Sequence, residues 1–261
     1  MTIETTLTGQ VALVTGGAKG IGKALALGLA RAGAAVAIAG RDTAALEATL
    51  GDLRQVGVPA HAVRADVSDV AQIEGMIADV TQALGPIDVL VNNAGVAILE
   101  PSTDVSETHW DSVIDTNLKG MFFCASRVAR EMIPRGSGTI INVSSEEGIV
   151  GVPGHAAYCI SKAGIIHMTK VLALEWGPHG IRVNCIAPAA VRTQMNETYW
   201  IGDPEAYRWV TERIALGRVS EPEELVGAAV YLASSASAFV TGHTLVVDGG
   251  ISAGMPRRRA T

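Results

Sequence analysis

Short runs of apolar and β-branched residues, each four to six long, alternate along the whole chain with segments of helical length. The runs fall at residues 11–15, 35–39, 61–64, 87–91, 139–143, 181–186 and 244–247. The first is followed by a glycine turn and a helical pattern to about residue 32, the second by one from residue 42 to about residue 55. A strand, a helix and another strand in succession close as a parallel pair with a right-handed crossover, and repeating the unit covers both faces of a sheet with helices. The pattern therefore predicts an α/β, doubly wound, Rossmann-like parallel sheet of about seven strands. No internal repeat or low-complexity linker interrupts residues 1–261, which read as a single domain. Residues 194–213 depart from the alternation and hold Tyr199, Trp200, Tyr207 and Trp209, half of the four Trp and half of the four Tyr. This segment reads as a lid over a substrate or as a patch packed on a neighbouring subunit. From about residue 254 the chain, with Arg257, Arg258 and Arg259, reads as a flexible tail.

Composition narrows the classes of partner. A 48% hydrophobic content over 261 residues is enough for a sizeable core. A formal charge of −6 argues against nucleic acid, whose phosphates need a basic face. The first residues carry an acid and no basic stretch, and no run of uncharged apolar residues reaches membrane-spanning length, so a cytoplasmic protein without a membrane partner is expected. Cys124, Cys159 and Cys185 lack C-x-x-C spacing and read as small buried apolar residues, and the histidines form no metal motif. No metal is expected.

Two local patterns carry chemistry. After the strand ending at Thr15, Gly16, Gly17, Gly20 and Gly22 open a helix, so that backbone N–H groups and the helix N-terminus face an anion. Tyr158 and Lys162 are four residues apart on a predicted helix. That spacing advances about 400° and about 6 Å, placing both on one face. A neighbouring ammonium draws a phenol down from its ordinary pKa of about 10, and about three units of lowering needs roughly 4 kcal/mol. With a second positive charge nearby, the pair is expected to act as a general acid or base near neutrality.

Thr15-Gly-x-x-x-Gly-x-Gly22, Asn92-Asn93-Ala94-Gly95, Asn117, Ser145 and Tyr158-x-x-x-Lys162 occur in one order and spacing, with Asp66-Val67 and Asp248-Gly249-Gly250. In this the chain resembles the short-chain dehydrogenase/reductase family over nearly its whole length. The resemblance implies hydride transfer between a nicotinamide dinucleotide and a secondary alcohol or ketone. Ser145 would bond the substrate oxygen, Tyr158 exchange its proton, Lys162 hold the nicotinamide ribose and lower the Tyr158 pKa, and Asn117 position a water. The thirteen-residue interval to Tyr158 selects Ser145 over Ser144. Gly16, Lys19, Gly20, Ile21 and Gly22 would bind the cofactor, with the glycines at its pyrophosphate, Asp66 and Val67 at the adenine, and Asn93, Ala94 and Gly95 at the adenosine ribose. Pro188, Val191 and Thr193 would also meet the cofactor, Val191 matching the carboxamide contact and Thr193 the threonine that follows it, although Ala189 stands where the family usually has glycine. Gly40-Arg41 at the end of the second strand, with Lys19, favours NADP(H), with NAD(H) as the alternative. Asp42 either caps the next helix or weakens phosphate binding. The family also implies a homotetramer or homodimer through helices at 117–134 and 158–176, where Met121, Phe122 and Val128 suit an interface or the core.

The substrate is less constrained. Glu146, Glu147 and His155 flank the serine and tyrosine and, with Trp200 of the lid, suggest a small polar or cyclic carbonyl or a sugar-like compound. A 3-oxoacyl thioester reductase is the rival within the class. Its acidic carrier would need a basic face, for which Arg127, Arg130 and Arg135 are the local candidates. A non-catalytic dinucleotide sensor and a structural subunit are the readings from other classes.

Overall fold

The computed structural model describes residues 5–197 and 202–254. Its seven strands, β1 (Val11–Thr15), β2 (Ala35–Gly40), β3 (Ala60–Arg64), β4 (Val89–Asn92), β5 (Gly138–Val143), β6 (Ile181–Pro188) and β7 (Thr244–Val247), form one sheet. The order is β3-β2-β1-β4-β5-β6-β7, every neighbouring pair is parallel, and each strand end lies within two residues of its predicted run. Thr15 pairs with Ala39 on one side and Asn92 on the other.

Successive side chains along a strand enter opposite layers. Ala12 and Val14 of β1 join Leu25 and Leu29 of α1 (Gly20–Arg31), Leu46 and Leu53 of α2 (Thr43–Val56) and, farther along the chain, Leu232. Val11 and Leu13 join Ile73, Met76 and Val80 of α3 (Val70–Leu84) and, from later helices, Met132 and Trp176. A strand held between two helical layers must be apolar on both faces, which is why the runs are continuous. Each fully buried Leu contributes about 1.5–3 kcal/mol.

Helix ends follow local chemistry. Asp42 caps α2 by accepting from the Ala45 N–H at 3.1 Å, and Gly57, with φ of 89°, closes it. Ser106 caps α4 (Glu107–Ile114), which runs through a π-helical turn, Asp115–Gly120, into α5 (Met121–Arg135). The sequence pattern does not show that turn. It is tied to tertiary packing, because a Cβ at Gly120 would run into the Val67 carbonyl oxygen. Of the three residues offered to an interface or the core, Met121 and Val128 are buried in the core and Phe122 is exposed. The longest helix, α6 (Ala156–Trp176), packs on β6. A single turn, α7 (Gln194–Asn196), then α8 (Pro204–Arg213) and α9 (Val226–Ala233) complete the set. Among the described residues no helix is long and apolar enough to cross a membrane.

Strand order reverses direction at β1, so β1 and β4 diverge into helices on opposite faces and leave a crevice beyond their carboxyl ends.

Candidate active site

Polar side chains stitch the crevice together. Thr15 Oγ1 accepts from the N–H groups of Asn93 and Ala94 at 3.1 and 3.3 Å. Asn93 Nδ2 returns bonds to the carbonyls of Thr15 and Gly16 at 3.1 and 3.2 Å. The turn after β1 needs its glycines. Gly16 and Gly20 have φ of 63° and 50°, and a Cβ on Gly22 would run into the Gly16 carbonyl. Helix α1 has no acidic residue in its first turn, so its N-terminal N–H groups present uncompensated positive potential. Concave backbone, glycines and a helix N-terminus fit a pyrophosphate.

A cavity of about 470 Å³ opens above this turn. One wall is Gly16, Lys19, Gly20, Ile21 and Gly22, another Asn93, Ala94 and Gly95, and a third Ser145, Tyr158 and Lys162. Pro188, Ala189, Val191, Thr193, Gln194 and Asn196 close it. Thus residues from the ends of β1, β4, β5 and β6 and the start of α6 meet, as the motif order implies. Arg41, Asp66, Val67, Asn117, Glu146 and His155 do not line this cavity. Arg41 lies at the end of β2, where Nη1 sits 3.5 Å from Asp66 Oδ2, and Lys19 Nζ pairs with Asp42 Oδ2 at 2.7 Å. Asp42 therefore both caps α2 and neutralises Lys19. Ala189 carries no backbone strain, since no described residue other than glycine has positive φ. Trp200 lies outside the described residues.

Lys162 is buried, donates to the Val143 carbonyl at 3.1 Å, and has its pKa pushed down to about 8 by burial. Ser144 is buried too and its hydroxyl donates to the Lys162 main-chain carbonyl at 2.7 Å, whereas Ser145 donates to the side-chain carboxyl group of Glu146. The expected lowering of the Tyr158 pKa is not what the isolated chain shows. Burial, and then the negative potential of Glu147 and Glu146, push the phenol up, while a hydrogen bond with Ser145 pulls in the lowering direction. The spacing rule captures the lysine but not the desolvation or the two carboxylates. The second positive charge invoked above would have to come from a bound group.

Asn117 sits in the π turn, fully buried. Its Nδ2 donates to the Val96 carbonyl at 2.9 Å and to Ser161 Oγ at 3.1 Å, and Oδ1 accepts from Val96 N–H at 2.8 Å. Both amide hydrogens are committed, so the side chain has only an oxygen lone pair to offer a water. Ser161 passes its own hydrogen to the Tyr158 carbonyl at 2.7 Å and so ties Asn117 to the tyrosine's helix turn. The motifs do not name Ser161; its position directly before Lys162 is the one signal for it.

Ser145 Oγ donates to Glu146 Oε2 at 2.8 Å and accepts from Glu147 N–H at 3.1 Å. Burial, with the carboxylates of Glu147 and Asp248 nearby, pushes Glu146 up to about 7. His155 Nδ1 meets Glu147 Oε2 at 2.8 Å, and Cys159 Sγ lies 3.5 Å from the same oxygen. Cys159 is partly exposed, unlike the buried Cys124 and Cys185, because it follows Tyr158 at the open end of α6. No metal-binding cluster is found among the described residues.

Comparison with known proteins agrees with this geometry. Residues 16–252 match a family model described as enoyl-(acyl carrier protein) reductase. The chain is 42% identical to gluconate 5-dehydrogenase of Gluconobacter oxydans (strain 621H), over 94% of this chain and 96% of that protein. It is 39% identical to the 3-oxoacyl-(acyl-carrier-protein) reductase FabG of Staphylococcus aureus (strain N315), over 92% and 97%. A crystal structure of a gluconate 5-dehydrogenase from Burkholderia cenocepacia J2315, in complex with NADP and tartrate, superimposes with a TM-score of 0.93 at 37% identity, covering 97% of this chain and 99% of that one. With its parallel sheet, glycine turn and Ser145-Tyr158-Lys162 wall, the chain belongs to the short-chain dehydrogenase/reductase family, oxidoreductases acting on CH–OH groups.

Proposed function

We propose that this protein interconverts a secondary alcohol and a ketone with NADP(H), and that its substrate is a small, neutral polyhydroxy compound of the polyol or ketose class. The observation that carries this reading is the single cavity in which the glycine turn faces Ser145, Tyr158 and Lys162. When bound, the dinucleotide supplies or receives the hydride. Gly16, Gly20, Ile21 and Gly22 would hold its pyrophosphate by backbone N–H groups. Asn93, Ala94 and Gly95 would border the adenosine ribose, Asp66 and Val67 the adenine, and Pro188, Val191 and Thr193 the carboxamide. Lys19 and Arg41 would take the 2′-phosphate. They must first leave Asp42 and Asp66, but exposed ion pairs are worth only about 0–1 kcal/mol, and a phosphate dianion outbids one carboxylate.

In ketone reduction, Ser145 donates to the carbonyl oxygen and Tyr158 delivers its proton there as negative charge develops. Lys162, buried between Val143 and Tyr158, orients the ribose and supplies the positive charge that eases proton loss. Asn117 fixes Val96 and the Tyr158 turn and offers its oxygen lone pair to a relay water. Glu147 and Asp248 add negative potential at Glu146, beside Ser145. That concentration of negative potential favours neutral hydroxylated substrates over sugar acids. His155, paired with Glu147, adds a polar edge, and in this reading the described residues 194–197 and 202–213 belong to the lid, with Gln194 and Asn196 at the cavity.

The thioester reductase reading is weaker on one specific point. Arg127 and Arg130 share the one carboxylate of Glu74, and Arg135 lies 3.7 Å from Asp88, so two carboxylates offset part of the positive charge that an acidic carrier would need. A homotetramer in the cytoplasm belongs to the same proposal, supported by the exposed apolar Phe122, Ile160, Val171 and Leu174 on α5 and α6. The test is a panel of polyols, ketoses, keto acids and a 3-oxoacyl thioester, run with both dinucleotides. Turnover of ketoses with NADPH preferred is expected; thioester turnover alone would overturn the substrate class.

A further inference from the structure

The Ser145 hydroxyl has one hydrogen and two lone pairs, and its surroundings account for them unevenly. One lone pair accepts from the Glu147 N–H at 3.1 Å. The hydrogen points at Glu146 Oε2, 2.8 Å away. In that arrangement Ser145 has no hydrogen left for a substrate carbonyl, although the proposed reaction requires it to be a donor.

We propose that Glu146 is a positioning residue for Ser145, its carboxyl group setting the direction of the Ser145 hydrogen bond and thereby whether the serine can donate to a substrate oxygen. With Glu146 as carboxylate, the short contact is Ser145 O–H to Glu146, and the serine can only accept from a ligand. With Glu146 protonated, the same contact reverses: the carboxyl O–H donates to Ser145 Oγ beside the Glu147 N–H, and the serine hydrogen turns to the side where Tyr158 also hydrogen-bonds Ser145 and a substrate oxygen would sit. No atom moves more than a hydroxyl rotation, and one proton on Glu146 makes the difference.

The electrostatic setting places the switch in a useful range. The ionisable groups acting on Glu146 are Glu147 on its own turn and Asp248 after β7, while Tyr158 on α6 responds to Glu146 in return. Burial is the larger cause and the neighbouring acids add to it, which together push Glu146 up to about 7 from its ordinary 4.5. Asp248 is fixed by bonds from Gly250 and Ser252 N–H at 2.8 and 2.9 Å, so it stays an anion and holds Glu146 up. Lys162, which burial pushes down to about 8, is unchanged in both variants below.

This inference rests on the reading of Ser145 as donor, so the experiment has one arm that needs no substrate. An infrared pH titration of the purified full-length protein should show a carboxylic acid band lost with a midpoint near 7, missing from Glu146→Gln and shifted by at least half a pH unit in Ser145→Ala. A wild-type protein without that band, or a band persisting in Glu146→Gln, would overturn the proposal. The second arm follows NADPH-dependent ketone reduction from about pH 5.5 to about 9. Losing one hydrogen-bond donor to a developing oxyanion costs about 10²-fold or more, so the wild-type rate should fall by that order through the Glu146 midpoint. Glu146→Gln, whose amide donates permanently to Ser145, should keep its rate across that midpoint, and Ser145→Ala should be slow at every pH without the inflection. An unchanged inflection in Glu146→Gln sinks the switch. If the infrared shift is present and no ketone in the panel is reduced, the substrate reading fails while the Glu146–Ser145 coupling stands.

Discussion

The Lys162 ammonium lies over the face of the Tyr158 ring, 5.4 Å from its centroid, and is held there by the Val143 carbonyl at 3.1 Å. One helical turn brings the two residues together, but the strand end fixes the distance. Lys162 therefore faces the Tyr158 ring from a fixed post, while burial and then Glu147 and Glu146 push the phenol's pKa up in the isolated chain.

Removing the proton donor alone tests the chemistry without disturbing the fold. Tyr158→Phe should lower kcat for ketone reduction by about 10²–10⁴-fold. NADPH affinity, read by fluorescence titration, should change little. Wild-type-like turnover in this variant would transfer the proton to another group, and unimpaired binding with lost turnover would also end the sensor reading.

Lys162 is expected to cost stability while serving catalysis. Its pKa drops from 10.5 in the unfolded chain to about 8 in the folded one. Between those values the unfolded chain binds more protons, so stability rises with pH across that window and the full penalty is present below about 8. Lys162→Met should flatten this rise and stabilise the protein near neutrality by about 1–3 kcal/mol. Denaturant unfolding at several pH values checks it; a destabilised variant would mean that the bond to Val143 outweighs desolvation.

Asp42 has two jobs that a single substitution separates. Asp42→Ala removes the α2 cap, worth about 1 kcal/mol, and frees Lys19. Stability should fall by about that amount while the affinity ratio of NADPH to NADH rises severalfold. Arg41→Ala should move the same ratio the other way. Equal affinities for both dinucleotides in all three proteins would remove Lys19 and Arg41 from the phosphate site.

Gly22 is a steric requirement of the turn, not of the helix. Alanine is the better helix former by about 1 kcal/mol, yet its Cβ would collide with the Gly16 carbonyl and press on Asn93 Nδ2. Gly22→Ala should weaken dinucleotide binding at least tenfold and lower the melting temperature. Gly51→Ala, in the middle of α2 with open space around it, should instead be neutral or stabilising. A neutral Gly22→Ala would mean the turn can open.

The sequence by itself determined the sheet and the chemistry. Strands buried on both faces must be continuously apolar, so all seven could be found within two residues of their ends. A glycine turn between a strand and a helix, and a Tyr and Lys one turn apart, are local patterns that need no knowledge of neighbours. Tertiary structure alone decided what those groups experience. Lys19 meets Asp42, Arg41 meets Asp66, and Ser161 meets Asn117 across 23, 25 and 44 residues of chain. Ser145 and Glu146 are adjacent in sequence, yet the direction of their hydrogen bond depends on burial and on Asp248 about a hundred residues away. The Tyr158 pKa moved against expectation for the same reason. Spacing along a helix fixes which side chains are close, whereas solvent exclusion and through-space charge, which set their proton affinities, exist only once the sheet has brought distant segments together.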